Sequence, residues 1–178
     1  MRRWAAHLSA FGTVVTLDYP YARAGRKLPD RLPVLIEAHR QALHAVRREH
    51  PGPVVLAGKS MGSRVACHLS LDEEVRALLC LGYPLVGRGG AVRDEVLLAL
   101  RTPVLFVQGT RDPLCPLGRL DAVRGRMTAP SALHLIEGGD HSLEVPASAL
   151  RARGQSQAEA EAQALDAIGA FLASPGRG

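Results

Sequence analysis

Three residue types that acyl transfer requires stand at three separated positions of this 178-residue chain: a serine at 60, an aspartate at 112 and a histidine at 141. Ser60 lies in Gly58-Lys59-Ser60-Met61-Gly62, between the apolar run Pro53 to Ala57 and a helix-like stretch from Ser63 to Leu71. A G-x-S-x-G run between strand and helix makes a sharp turn that projects its serine from the end of a sheet. A Cβ at position 58 or 62 is expected to crowd the neighbouring backbone in so tight a bend. Asp112 sits in Gly109-Thr110-Arg111-Asp112-Pro113, and His141 in Gly138-Gly139-Asp140-His141-Ser142, each just after an apolar run. A serine hydroxyl is a poor nucleophile at neutral pH unless an imidazole takes its proton, and a carboxylate then fixes the imidazole tautomer. The order Ser, Asp, His is the one that accompanies this turn. Asp140 is the competing acid, but adjacent residues rarely face each other, and Asp112 is preferred. Cys115 reads as a small packing residue. His68, about two turns beyond Ser60, points away from the position of a base. His7, His39, His44, His50 and His134 read as structural or surface groups.

The elements that must position these residues alternate along the chain. Strands are expected at 13–17, 54–57, 76–81, 103–108 and 132–136. Amphipathic helices are expected at about 32–48, 63–71, 94–100, 117–127 and from 157 onward, from apolar spacing of three and four. Ser156 three residues before Glu159 is a capping-box signature for the last of them. Trp4, Leu8 and Phe11 share one face of a first helix that Gly12 ends. Residues 19–27 read as a loop, as does the polar stretch 151–157. Alternation of this kind argues for an α/β fold: a mainly parallel sheet with helices on both faces. Ligands collect at the carboxyl ends of such strands, where all three candidates lie. One domain over residues 1–173 and a frayed tail at 174–178 are expected.

Composition narrows the function classes. Apolar residues make up 47% and charged residues 22%, as in an ordinary globular protein. The net charge of +5 comes from scattered arginines without aromatic interleaving, which reads as a solvated surface and not as a nucleic-acid interface. No apolar run is long enough to span a membrane. The basic start Met1-Arg2-Arg3 raises a transit peptide, but the shared face of Trp4, Leu8 and Phe11 favours a folded helix. Cys67, Cys80 and Cys115 are odd in number and lack metal-ligand spacing, which suits reduced thiols and a cytoplasmic location. No metal and no cofactor are expected, and homo-oligomerisation remains open.

Taken together, Gly58-Lys59-Ser60-Met61-Gly62-Ser63-Arg64, Gln108-Gly109-Thr110-Arg111-Asp112-Pro113 and Gly138-Gly139-Asp140-His141-Ser142 resemble the α/β-hydrolase superfamily. More narrowly the chain is similar to the small dienelactone-hydrolase-like branch, with its testis-expressed and NSL-complex-subunit relatives. Leu17-Asp18-Tyr19-Pro20-Tyr21 and Leu81-Gly82-Tyr83-Pro84 also match that branch. The resemblance covers nearly the whole chain. It implies Ser60 as nucleophile, His141 as base, Asp112 as acid and the Met61 amide as one oxyanion donor, acting on a small-molecule carboxylic ester or thioester. A non-catalytic interaction protein that keeps the turn for structural reasons is the alternative. The branch also carries a His-Gly-x-Gly-like segment before its first helix, which supplies a second oxyanion donor. This sequence has no such segment, so the resemblance implies a natural or constructed fragment, or a start site set downstream, that lacks the N-terminal strands. A gap of two strand spacings, about 9–10 Å, is then expected between 13–17 and 54–57.

Overall fold

The computed structural model describes residues 2–173, so the expected frayed tail lies outside the described residues. Four strands form the sheet: β1 (Val55–Lys59), β2 (Ala77–Leu81), β3 (Val104–Gly109) and β4 (Ser131–Ile136). Their order in space is β1-β2-β3-β4, and every pairing is parallel. Parallel neighbours need crossovers, and helices supply them: α4 (Met61–Leu69) joins β1 to β2, α5 (Glu95–Ala99) joins β2 to β3, and α6 (Leu117–Arg124) joins β3 to β4. The central strands β2 and β3 are buried along their whole length, which is why they read as continuous apolar runs and not as alternation.

Side chains of successive strand residues point to opposite faces, and the core divides accordingly. Leu56, Leu78, Cys80, Val104 and Phe106 meet the crossover helices and α3 (Leu32–Glu49). Leu79, Leu81, Leu105, Val107 and Ile136 meet α1 (Arg2–Leu8), α7 (Ala147–Ala152) and α8 (Gln157–Ala173). Trp4 and Leu8 are buried as the first helix predicts, whereas Phe11 is 41% exposed on a 3₁₀ turn, lying over Gly169 of α8. The capping box forms as expected: Glu159 accepts from the Ser156 amide (2.7 Å) and hydroxyl (2.8 Å), and the Glu159 amide donates back to the hydroxyl at 3.2 Å.

Three expectations about the elements are corrected. Residues 13–17 are not a strand; they are irregular, and among the described residues none of 13–18 makes a backbone hydrogen bond. Their β-branched composition suits a pleated surface, but strand structure needs a neighbour, and here there is none. The loop after them contains the single turn α2 (Pro20–Arg23), opened by Pro20. The polar stretch at 151 begins inside α7, which is too short for apolar periodicity to announce. Among the described residues no helix is long and apolar enough to cross a membrane.

Candidate active site

Ser60 closes the turn from β1 into α4 with φ 54° and ψ −119°, a conformation in which a residue with a Cβ is strained. The turn is tight enough that a Cβ on Gly58 would lie 2.3 Å from the Gly62 carbonyl carbon and the Ser63 amide. Only glycine fits there. Gly62 is different from expectation: a Cβ on it would meet nothing within 4 Å, because that face of α4 borders an open cleft. The turn is held by the Ser60 amide donating to the Leu81 carbonyl (3.0 Å) and by Ser63, whose amide and hydroxyl both donate to the Ser60 carbonyl. Met61 opens α4, where the first amides of a helix have no intrahelical acceptor.

The structure brings Ser60, His141 and Asp112 into one line. Ser60 Oγ and His141 Nε2 are 2.7 Å apart, and His141 Nδ1 and Asp112 Oδ2 are 2.8 Å apart. The neutral tautomer that satisfies both contacts carries its proton on Nδ1, donating to Asp112 and accepting from the serine hydroxyl. His141 is held close to β2: a Cβ on Gly82, whose φ is +60°, would stand 2.7 Å from the His141 carbonyl oxygen. Asp140 does not face the imidazole. Its Oδ1 accepts from the amides of Ser142 and Glu144, so it shapes the loop that carries His141.

The Asp112 side chain is wholly buried, and a buried carboxylate needs donors. It has three. Besides His141, Oδ1 accepts from the Leu114 amide at 2.8 Å and Oδ2 from Gln108 Nε2 at 2.5 Å. Gln108 is itself fully buried at the end of β3, and its Oε1 accepts from the Tyr83 amide at 2.9 Å. One side chain thus ties the end of β2 to the carboxylate. Sequence reasoning gave Gln108 no role. The available signal was a lone amide side chain ending an otherwise apolar buried strand, where both its donor and its acceptor need partners.

The remaining candidates have structural explanations. Cys115 is buried, and burial, reinforced by the nearby Asp112 charge, pushes its thiol up to about 12. His7 bonds Glu161 at 2.9 Å and His44 bonds Glu73 at 2.8 Å. His39 lies 3.2 Å from the Tyr19 hydroxyl; burial holds its pKa below the usual histidine range and that of Tyr19 above the usual phenol range. His68 is half-buried, with its Nε2 unpartnered among the described residues. Among the described residues no cluster of three or more His, Cys, Asp or Glu could hold a metal ion. A cleft of about 870 Å³ opens beside Ser60, Met61 and Gly62 and runs down the outer edge of β1, with residues 13–18 on its far side and His39, Ala42 and Leu43 of α3 on its floor.

A protein-family model described as an alpha/beta hydrolase domain matches residues 1–173. Among solved structures, an alpha-beta serine hydrolase homologue from Coxiella burnetii is similar with a TM-score of 0.61 and 19% identity, over 79% of this chain and 66% of that one. The esterase domain of a Rhodothermus marinus protein gives a TM-score of 0.57 and 17% identity, over 76% of this chain and 66% of that one. An Agrobacterium tumefaciens protein of unknown function, described as an alpha/beta hydrolase, gives 0.68 and 14% identity, over 96% of this chain and 76% of that one. The chain spans just under two thirds of the first two relatives, at 66% each. At these identities the likeness carries the fold.

Proposed function

The chain belongs to the alpha/beta hydrolase domain family, and on that premise we propose that it is a serine hydrolase acting on a carboxylic ester or thioester, in the dienelactone-hydrolase-like part of the family. The observation that carries this reading is the hydrogen-bonded line from Ser60 Oγ through His141 to the buried Asp112 carboxylate.

In the proposed reaction Ser60 Oγ attacks the substrate carbonyl carbon as its proton passes to His141 Nε2. The imidazolium so formed is stabilised by Asp112, whose three donors hold the carboxylate in place. The carbonyl oxygen becomes an oxyanion facing the Met61 amide, which α4 presents with the positive end of its dipole behind it. Collapse of the tetrahedral species breaks the bond to the leaving oxygen or sulfur, and His141 returns the proton to that atom. Water then attacks the acyl-serine with His141 again as base, releasing the acid and regenerating Ser60. Labelling by a fluorophosphonate tests the reading, because only an activated serine reacts. Labelling of the wild-type chain that disappears in Ser60→Ala supports it. An unlabelled, folded wild-type chain would leave the non-catalytic interaction protein as the reading.

A further inference from the structure

The chain makes a tight turn through and past His141, closed from within by Asp140. The Asp140 amide donates to the Glu144 carbonyl (3.0 Å), its carbonyl accepts from the Leu143 amide (2.9 Å), and its Oδ1 accepts from Ser142 and Glu144. Leu143 sits in this turn at φ +63°, with its side chain fully buried. Such a conformation is strained for a bulky residue and persists only where the surroundings impose it. The Leu143 carbonyl and the Val145 amide are not used within the turn, and one side chain takes both. Gln157, the first residue of α8, donates from Nε2 to the Leu143 carbonyl (2.9 Å) and accepts at Oε1 from the Val145 amide (3.0 Å).

Gln157 is itself fixed. Its Nε2 donates a second bond, to Glu161 Oε1 at 2.8 Å, so its amide fits in one orientation. Turned over, it would set donor against the Val145 amide and acceptor against the Leu143 carbonyl and Glu161. Glu161 is only 4% exposed, and a buried carboxyl group needs partners. Two come from α1: His7 Nε2 meets Oε2 at 2.9 Å, and Arg3 meets Oε1 at 3.2 Å. A line of contacts thus runs from α1 through Glu161 and Gln157 to the turn that carries His141. We propose that Gln157, locked by Glu161, is a positioning residue for His141: by clamping the turn at Leu143 and Val145 it keeps the imidazole aimed between Asp112 and Ser60. The imidazole is 24% exposed, so water competes for both its nitrogens and the main chain must supply the aim. A misplacement of about 1 Å costs on the order of a hundredfold in rate. This kinetic consequence rests on His141 acting as the base proposed above; the orientation of the ring does not.

The test follows the imidazole directly, by nuclear magnetic resonance of protein isotopically labelled in its histidine ring nitrogens. At about pH 8, where an ordinary imidazole is neutral, the two nitrogen shifts report which of them carries the proton, and His141→Gln assigns the signals. The wild type should hold His141 in one tautomer, protonated on Nδ1. Gln157→Met, similar in length but without donor or acceptor, should move both signals toward the mixed-tautomer values of a free imidazole. Gln157→Glu keeps an acceptor for Val145, loses the donor to Leu143 and sets a second carboxyl against Glu161. It should move the signals the same way, and it decides the matter if Gln157→Met does not fold. Val123→Ala, a buried change in α6 on the other face of the sheet, lowers Tm without touching the turn and should leave the signals in place. Fluorophosphonate labelling of Ser60 should slow by about tenfold or more in both Gln157 variants and keep the wild-type rate in Val123→Ala. Wild-type signals in a folded Gln157 variant would overturn the proposal, as would equal movement in Val123→Ala, or labelling of a Gln157 variant at the wild-type rate. A wild-type chain that does not label would remove the hydrolase reading instead, and the ring-nitrogen signals would then decide the role of Gln157 alone.

Discussion

Replacing Gln108 by leucine removes two hydrogen bonds at almost constant volume, so the change isolates polarity from packing. Gln108 is fully buried, and its partners are the Tyr83 amide at 2.9 Å and Asp112 Oδ2 at 2.5 Å. An amide left buried without a partner costs about 1–3 kcal/mol, and a hydrogen bond to a charged group contributes about 1.5–3 kcal/mol. The two losses share one side chain, and leucine no longer needs solvation of its amide, so about 3–4 kcal/mol is the expected net loss. For a chain of this size that lowers Tm by roughly 6–16 °C. Circular dichroism melting measures it, and the rate of fluorophosphonate labelling at a temperature where both proteins are folded measures the effect on the Ser60 relay. Labelling should slow as Asp112 loses one of its three donors. Gln108→Glu provides the complementary arm. It keeps an acceptor for Tyr83 but sets a second carboxyl against Asp112, and two carboxylates in contact cannot both ionise. Its stability deficit should therefore widen as pH rises from about 4 to 8. A Gln108→Leu protein within about 1 °C of wild type, labelling at the wild-type rate, would refute the reasoning.

Ser60→Ala should abolish ester hydrolysis, by a factor on the order of 10⁶ in turnover, while leaving Tm unchanged; retention of more than about a hundredth of the activity would remove Ser60 from its role. Gly82→Ala should destabilise by at least about 1–3 kcal/mol, from the positive φ alone, and should slow labelling further because its Cβ collides with the His141 carbonyl; a wild-type melting curve would contradict this. Glu73 has a pKa lowered from 4.5 to about 2, since burial, which alone would raise it, is outweighed by hydrogen bonds from Arg47, His44 and Arg40. Its stabilisation is complete above the unfolded value and disappears as pH falls through the folded one, so the Tm gap between wild type and Glu73→Gln should close between pH 4.5 and about 2. A gap independent of pH in that window would show that the ion cluster does not act through its charge. The Cys115 thiol, pushed up to about 12 chiefly by burial, should resist iodoacetamide in the native state at pH 8 and react only on unfolding. Fast native labelling would place it at the surface.

Local pattern was enough for the sheet wherever a run was both apolar and flanked by breakers, which is why the strands around Leu56, Leu79, Phe106 and Leu133 were legible. The run at 13–17 had the same composition and misled, because propensity reports only that a segment suits a sheet and says nothing about whether a neighbour exists. Ser60, Asp112 and His141 were legible because their chemistry is carried by residue type and by position after strands. Gln108 was not, since its importance arises from burial and from two partners distant in sequence, Tyr83 and Asp112, that only the folded chain defines. Gly58 was read correctly from the tightness of the turn. Gly62 was not, because the open cleft beside it is a tertiary feature.

The division of the core between the two sheet faces sets the order in which the chain can become stable during synthesis. Helices α4, α5 and α6, which cover one face, are the crossovers themselves and emerge together with the strands they join. The other face has only Trp4 and Leu8 of α1 to cover it until Leu150, Ala160, Ala164 and Ile168, from α7 and α8, close over Leu79, Leu105 and Val107. A nascent chain that has completed β4 therefore carries a paired sheet whose second face is covered by α1 alone, with the rest of its apolar surface open to solvent or to a chaperone.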